Sequence, residues 1–157
     1  MAGPATRRAA QAVSGLREFE LSLPMQLLKA REAAMARFRP MLREHGLTDQ
    51  QWRVIRVLAD TPDLDAGEIA RRSLLLAPSL SRILQFLEAE GLVRRRPDPA
   101  DQRRGVFALT ARGERRFAAV APDSERLYAD IAARFGADRL DELYVLLEAF
   151  CVALDGD

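Results

Sequence analysis

Apolar residues recur every three or four positions through most of this chain, the period of an α-helix with one buried face. Leu23, Leu27, Ala30, Ala34, Phe38 and Met41 keep that spacing up to His45-Gly46, where a glycine supplies the stop. Ser22 stands before the run as a cap, and Pro24 falls in the first turn, where its missing N–H costs nothing. Thr48 with Gln51 forms a capping box, and Trp52, Ile55 and Leu58 follow on one face of a second helix that runs to about Ala59. The stretch Asp60 to Leu64, with a proline and two aspartates, reads as a loop. Asp65 with Glu68 repeats the capping pattern and opens a short third helix through Ile69 to Ser73. A fourth helix starts at Ala77-Pro78, turns Leu80, Ile83, Leu84 and Leu87 inward, and stops at Gly91. Residues 1 to 20, rich in alanine and arginine without clear periodicity, read as a mobile arm with some helical character.

The period then changes. Leu92 to Arg96 and Val106 to Leu109 are short strand-like runs on either side of the loop Pro97 to Gly105, which predicts a β-hairpin. Thr110 caps a long fifth helix that turns Phe117, Val120, Leu127, Ile131 and Phe135 inward, with Pro122 expected to kink or interrupt it and Gly136 to close it. In a sixth helix Leu140, Leu143, Leu147, Phe150 and Leu154 form a near-heptad seam, the pattern of a helix packed along its length against another helix. Two short helices joined by a tight turn and followed by a hairpin make a winged helix-turn-helix, here spanning residues 65–110. The expected fold is therefore mainly α with a small β-wing, and the 157-residue length suits one domain.

Composition narrows the function. No apolar run approaches the roughly 20 residues that a membrane helix requires, and the N-terminal stretch lacks the plan of a secretory signal, so a cytoplasmic protein is expected. One cysteine, Cys151, and one histidine, His45, leave no internal disulfide and too few soft ligands for a zinc site. With no GxSxG, HExxH or P-loop pattern, neither an enzyme nor a cofactor is expected. The net charge of +1 hides a strong asymmetry. Residues 71–112 carry nine arginines against four acids, a local charge of +5, while the rest of the chain sums to −4. A basic middle between acidic flanks points one surface at a polyanion.

On the fourth helix Ser79, Ser81, Arg82 and Gln85 face away from the leucines, with the reach and hydrogen-bonding capacity to meet base edges and phosphates in a major groove. The same face would also serve as plain solvated surface; its place in the second helix of the turn, inside the basic segment, favours DNA. In the loop Asp98-Pro99-Ala100-Asp101-Gln102-Arg103-Arg104, two arginines sit at a hairpin tip that can enter a minor groove, with Asp101 placed to brace one of them. A weak surface ion pair is the alternative there.

Along nearly its whole length the chain resembles the MarR family of bacterial regulators. The resemblance is carried by Leu47-Thr48-Asp49-Gln50-Gln51-Trp52-Arg53-Val54, Leu76-Ala77-Pro78-Ser79-Leu80-Ser81-Arg82, Gly91-Leu92-Val93, Asp101-Gln102-Arg103 and Leu109-Thr110-Ala111-Arg112-Gly113. Ser22-Leu23-Pro24, Ala30-Arg31-Glu32 and Phe38-Arg39-Pro40 look most like the HpaR-type repressors of homoprotocatechuate breakdown. The resemblance implies an intertwined helical homodimer, with residues 22–46 and 111–154 as dimerisation helices and two winged domains on a palindromic double-stranded DNA operator. Carried over, the fourth helix reads the major groove and Arg103 is the wing-tip arginine positioned by Asp101; the family motif fixes Arg103 but not Arg104. It further implies release by a small aromatic carboxylate, for which Trp52 and Arg56, one helical turn apart, are candidates with Ser22, Arg39 and His45. For Trp52 a core role, and for Arg56 a surface or salt-bridged role, stand as alternatives. Cys151, in the apolar seam, reads as structural rather than as a redox thiol. Two other function classes remain: a winged-helix module that binds an acidic protein partner without reading DNA sequence and, more remotely, an enzyme acting on aromatic acids.

Overall fold

The computed structural model describes residues 18–155, so the arm expected over residues 1 to 20 lies outside the described residues up to position 17. The chain divides into two compact units, Met1–Arg37 and Phe38–Asp157. In the first, a 3-10 turn at Phe19–Leu21 leads through Ser22 into helix α1, Leu23–Glu44. The Ser22 carbonyl accepts the Gln26 N–H at 3.0 Å, and Lys29 lies 3.6 Å from Glu20. Leu23, Leu27 and Leu28 are exposed here, whereas Phe38, Met41 and Leu42, in the second unit's share of α1, are buried.

Within the second unit the elements follow the predicted order. Helix α2, Asp49–Asp60, starts from a complete capping box: the Thr48 hydroxyl accepts the Gln51 N–H at 3.2 Å while the Gln51 side chain accepts the Thr48 N–H at 2.9 Å. Helix α3, Ala66–Ser73, is capped by Asp65, whose carboxylate accepts the Glu68 N–H. The expected box is only half made there, because the Glu68 carboxylate turns instead to Arg71 and Arg72. Leu74, in the left-handed conformation at φ 51°, ends α3, and helix α4, Ala77–Ala89, follows with Pro78 in its first turn. The Arg53 guanidinium donates to the Ser73 carbonyl at 2.8 Å, tying the turn between the two short helices back to α2.

The stretch Asp60 to Leu64, expected to be a plain loop, ends in strand β1, Leu64–Asp65, which pairs antiparallel with Phe107 and Val106. With β2, Val93–Pro97, and β3, Gly105–Leu109, it makes a three-stranded sheet in the order β1-β3-β2. The central strand is the most buried, with Val106, Phe107, Ala108 and Leu109 all in the core. That core also takes Val54, Ile55 and Leu58 from α2, Ile69 from α3, and Leu80, Leu84 and Leu87 from α4. Helix α4 and the sheet are thus backed by one apolar mass, which holds α4 and the hairpin at a fixed spacing.

The sheet is locked to helix α5, Ala111–Phe135, through its cap. The Thr110 hydroxyl accepts the Gly113 N–H and donates to the Gly91 carbonyl, while the Thr110 N–H bonds the Leu92 carbonyl. Gly113 is required by close approach, since a Cβ there would lie 2.0 Å from the Leu92 oxygen. Pro122 does not interrupt α5, which is continuous to Phe135. Buried Val120 and Ser124 flank the proline and pack this stretch of helix against the core, which outweighs the one hydrogen bond that proline cannot donate. Phe135 is not inward: it is 38% exposed with the Arg139 guanidinium 4.6 Å from its ring centre.

Helix α6, Ala137–Leu154, buries none of its residues in the single chain. Leu143, Leu147, Val145, Leu146, Val152 and Leu154 are all exposed, and so is Cys151. Among the described residues no helix is long and apolar enough to cross a membrane.

Candidate nucleic-acid interface and the helical face behind it

The local charge of +5 does not survive as a uniform basic surface. Four of its nine arginines are held by acids that precede the segment. Arg71 and Arg72 share Glu68, each at 2.7 Å; Arg96 pairs with Asp63 at 2.7 Å; Arg104 pairs with Asp65. The arginines draw protons off their partners: Glu68, hydrogen-bonded by Arg71 and then Arg72, is held down to about 2, and Arg96 likewise lowers Asp63. A carboxyl depressed in the folded chain contributes stability above its ordinary value of 4.5, and that contribution is lost as pH falls toward 2. The melting temperature of Glu68→Gln should accordingly lie below that of the parent at pH 6, and the gap should close between about pH 4.5 and 2. A gap independent of pH would contradict it.

The remaining cations are concentrated near α4 and the wing. Ser81, Arg82 and Gln85 are exposed on α4 and Ser79 is half-buried, opposite buried Leu80, Ile83, Leu84 and Leu87. Among the described residues Arg82 and Arg103 stand in no ion pair. At the wing, Asp101 does not brace an arginine side chain as expected. Its carboxylate accepts the backbone N–H of Arg103 at 3.0 Å and its carbonyl accepts that of Arg104 at 2.9 Å, so it shapes the turn and leaves the Arg103 guanidinium outward. Arg104 is turned back onto Asp65 at the start of α3, which sets it apart from Arg103.

The aromatic candidates occupy different depths. Trp52 is a core residue, 6% exposed, with its ring stacked on Phe117 at 5.6 Å between centres. Arg56, exposed on the next turn of α2, donates to the Tyr128 hydroxyl at 3.3 Å. The Tyr128 ring in turn lies 5.0 Å from that of Phe38. His45 is engaged elsewhere, its Nε2 lying 2.7 Å from the Asp123 carboxylate while its carbonyl accepts from Arg116. Arg39 is half-buried near the end of α1, and Ser22 belongs to the first unit. Tyr128 was missed in the sequence. It stands three residues before Ile131 and seven before Phe135, on the same face of α5, so its spacing alone reads as core, and its hydroxyl contact with Arg56 is what singles it out.

Comparison with known proteins decides the family. Residues 45–104 match the MarR family. The homoprotocatechuate degradative operon repressor of Escherichia coli is 43% identical over 129 residues, 82% of this chain and 87% of that protein. The chain belongs to the MarR family of transcriptional regulators. Two solved structures of that architecture are similar to it. NadR, in complex with 4-hydroxyphenylacetate, shares 37% identity with a TM-score of 0.78, covering 85% of this chain and 98% of its own. CouR, a transcriptional repressor bound to a 23-mer DNA duplex, shares 27% identity with a TM-score of 0.77, covering 87% and 98%. In this MarR-family chain the two short helices α3 and α4 are followed by the hairpin of β2 and β3.

Proposed function

We propose that this chain is a cytoplasmic, homodimeric repressor that occupies a palindromic DNA operator and leaves it when a small phenolic acid binds. The observation that carries this is the outward row Ser81, Arg82 and Gln85 on α4 beside the unpaired Arg103 of the wing, both mounted on one rigid core. A helix in the major groove makes bidentate Arg and Gln pairs with base edges, and an arginine at a hairpin tip enters the adjacent minor groove. CouR is bound to a DNA duplex, and its likeness supports the same use here. The exposed apolar side chains of α6 are what a second copy of the chain would cover.

For the effector, Arg56 and Tyr128 supply a cation and a hydroxyl beside the Phe38 ring, a combination suited to an aromatic acid. NadR is solved with 4-hydroxyphenylacetate, which makes that compound the first to try. Release requires that the acid bind the DNA-free shape more tightly than the DNA-bound one.

Selection from a pool of random duplexes tests the reading. Enriched sequences should contain an inverted repeat with half-sites about 10 bp apart or a multiple of that, and binding should weaken steeply with salt. Adding 4-hydroxyphenylacetate should then lower affinity for the selected duplex. Binding that is indifferent to sequence would point to a module for acidic partners instead.

A further inference from the structure

Between α4 and the wing lies an open cleft of about 580 Å³, with Ser81 and Gln85 on one wall, Arg95 and Arg104 on the other, and Leu84 and Phe107 in its lining. If α4 occupies a major groove and the hairpin the neighbouring minor groove, one phosphodiester strand separates them, and it must pass over this cleft. The charges in the cleft decide what meets it. Arg104 is neutralised by Asp65. Arg95 is exposed and, among the described residues, in no ion pair; its guanidinium carbon stands 5.8 Å from the centre of the Phe107 ring. Glu88, the other acid in the cleft, stands three residues beyond Gln85 on α4. Asp65 and Glu88 match the two arginines in number, but Arg95, in no ion pair among the described residues, is the cation left to meet the strand.

A second observation bears on how it is held. A Cβ on Gly105, the residue paired across the hairpin with Pro97, would lie 2.3 Å from the Arg95 Nε and 2.9 Å from its Nη2. The arginine lies across the bare backbone of Gly105, which directs it along the sheet into the cleft. Because the colliding atoms belong to a flexible side chain, a methyl group there displaces Arg95 and leaves the strand in place.

We propose that the cleft seats the phosphodiester strand between the two grooves, with Arg95 as its phosphate ligand and Gly105 as the position that lets Arg95 lie there. This rests on the DNA-binding reading above. It assigns to Arg95 affinity without sequence preference, unlike Arg82 and Arg103.

The experiment measures affinity of the full chain for a selected duplex and for its scrambled counterpart over a range of salt concentrations. Arg95→Ala should weaken both duplexes by the same factor and reduce the log–log salt slope by about 0.9 per chain, about 1.8 for a dimer. Gly105→Ala should act in the same direction with an unchanged melting temperature, and Arg95→Ala with Gly105→Ala should be no worse than Arg95→Ala alone. An unchanged slope in Arg95→Ala, or a loss confined to the selected duplex, would overturn the assignment while leaving DNA binding intact. Failure of the parent chain to enrich any duplex would remove the DNA-binding reading itself, and the assignment with it.

Discussion

Alanine at Arg103 is expected to lower affinity for a selected duplex about 10- to 100-fold while melting temperature and oligomeric state stay as they were. The guanidinium is exposed and in no ion pair among the described residues, so its removal breaks nothing within the fold. Its backbone N–H, not its side chain, is what Asp101 holds. Two consequences follow from that geometry. Arg103→Lys keeps a charge but not the planar fork, so it should recover only part of the loss. Asp101→Ala should also weaken binding, through a looser turn, and Asp101→Asn, whose side-chain oxygen can still accept the Arg103 N–H, should largely restore it. If Asp101 acted by charge pairing with the guanidinium, asparagine would recover only part of the loss. Titration of a labelled duplex separates these outcomes.

Aspartate at Leu143 and Leu147 together is expected to abolish tight operator binding by separating the two copies. Each leucine is 38% exposed in the single chain, on a helix with no buried residue and apolar side chains around much of its surface. Two carboxylates per chain placed in an apolar seam cannot be desolvated there, and like charges from the two copies would face each other. Sedimentation should then report a monomer with the helix content of the parent. Loss of the second reading head removes the gain from tethering two half-sites, on the order of 10²- to 10⁴-fold. A variant that stays dimeric would place the interface elsewhere.

How far these features were legible in the sequence depended on whether a local rule governed them. The capping box at Thr48, the cap at Thr110, the stop at Gly91 and the inward leucines of α4 obey rules spanning four to eight residues, and each is found where its pattern lies. Strand β1 was not legible. Two residues carry no period, and Leu64–Asp65 is a strand only because Val106–Phe107 offers it an edge some forty residues away. Pro122 does not interrupt α5, because an interruption depends on packing beyond the reach of a local rule. Counting from residue 71 omitted Asp63, Asp65 and Glu68, the very acids that bond Arg96, Arg104, Arg71 and Arg72. Only the fold shows which arginines remain for a ligand. Tyr128 is the same lesson in reverse, since seventy-two residues separate it from the Arg56 that gives it a role. Trp52 was visible as an apolar position and as a candidate wall for a ring; it is buried in the core against Phe117.

Two copies of this chain are expected to read two half-sites as one unit. The mass of the complex formed on a selected palindrome and on a duplex carrying a single half-site, by sedimentation at fixed salt, tests this. Two chains per palindrome, with the single half-site bound at least a hundredfold more weakly, is the expected result. One chain per duplex, with equal affinity for both, would contradict it.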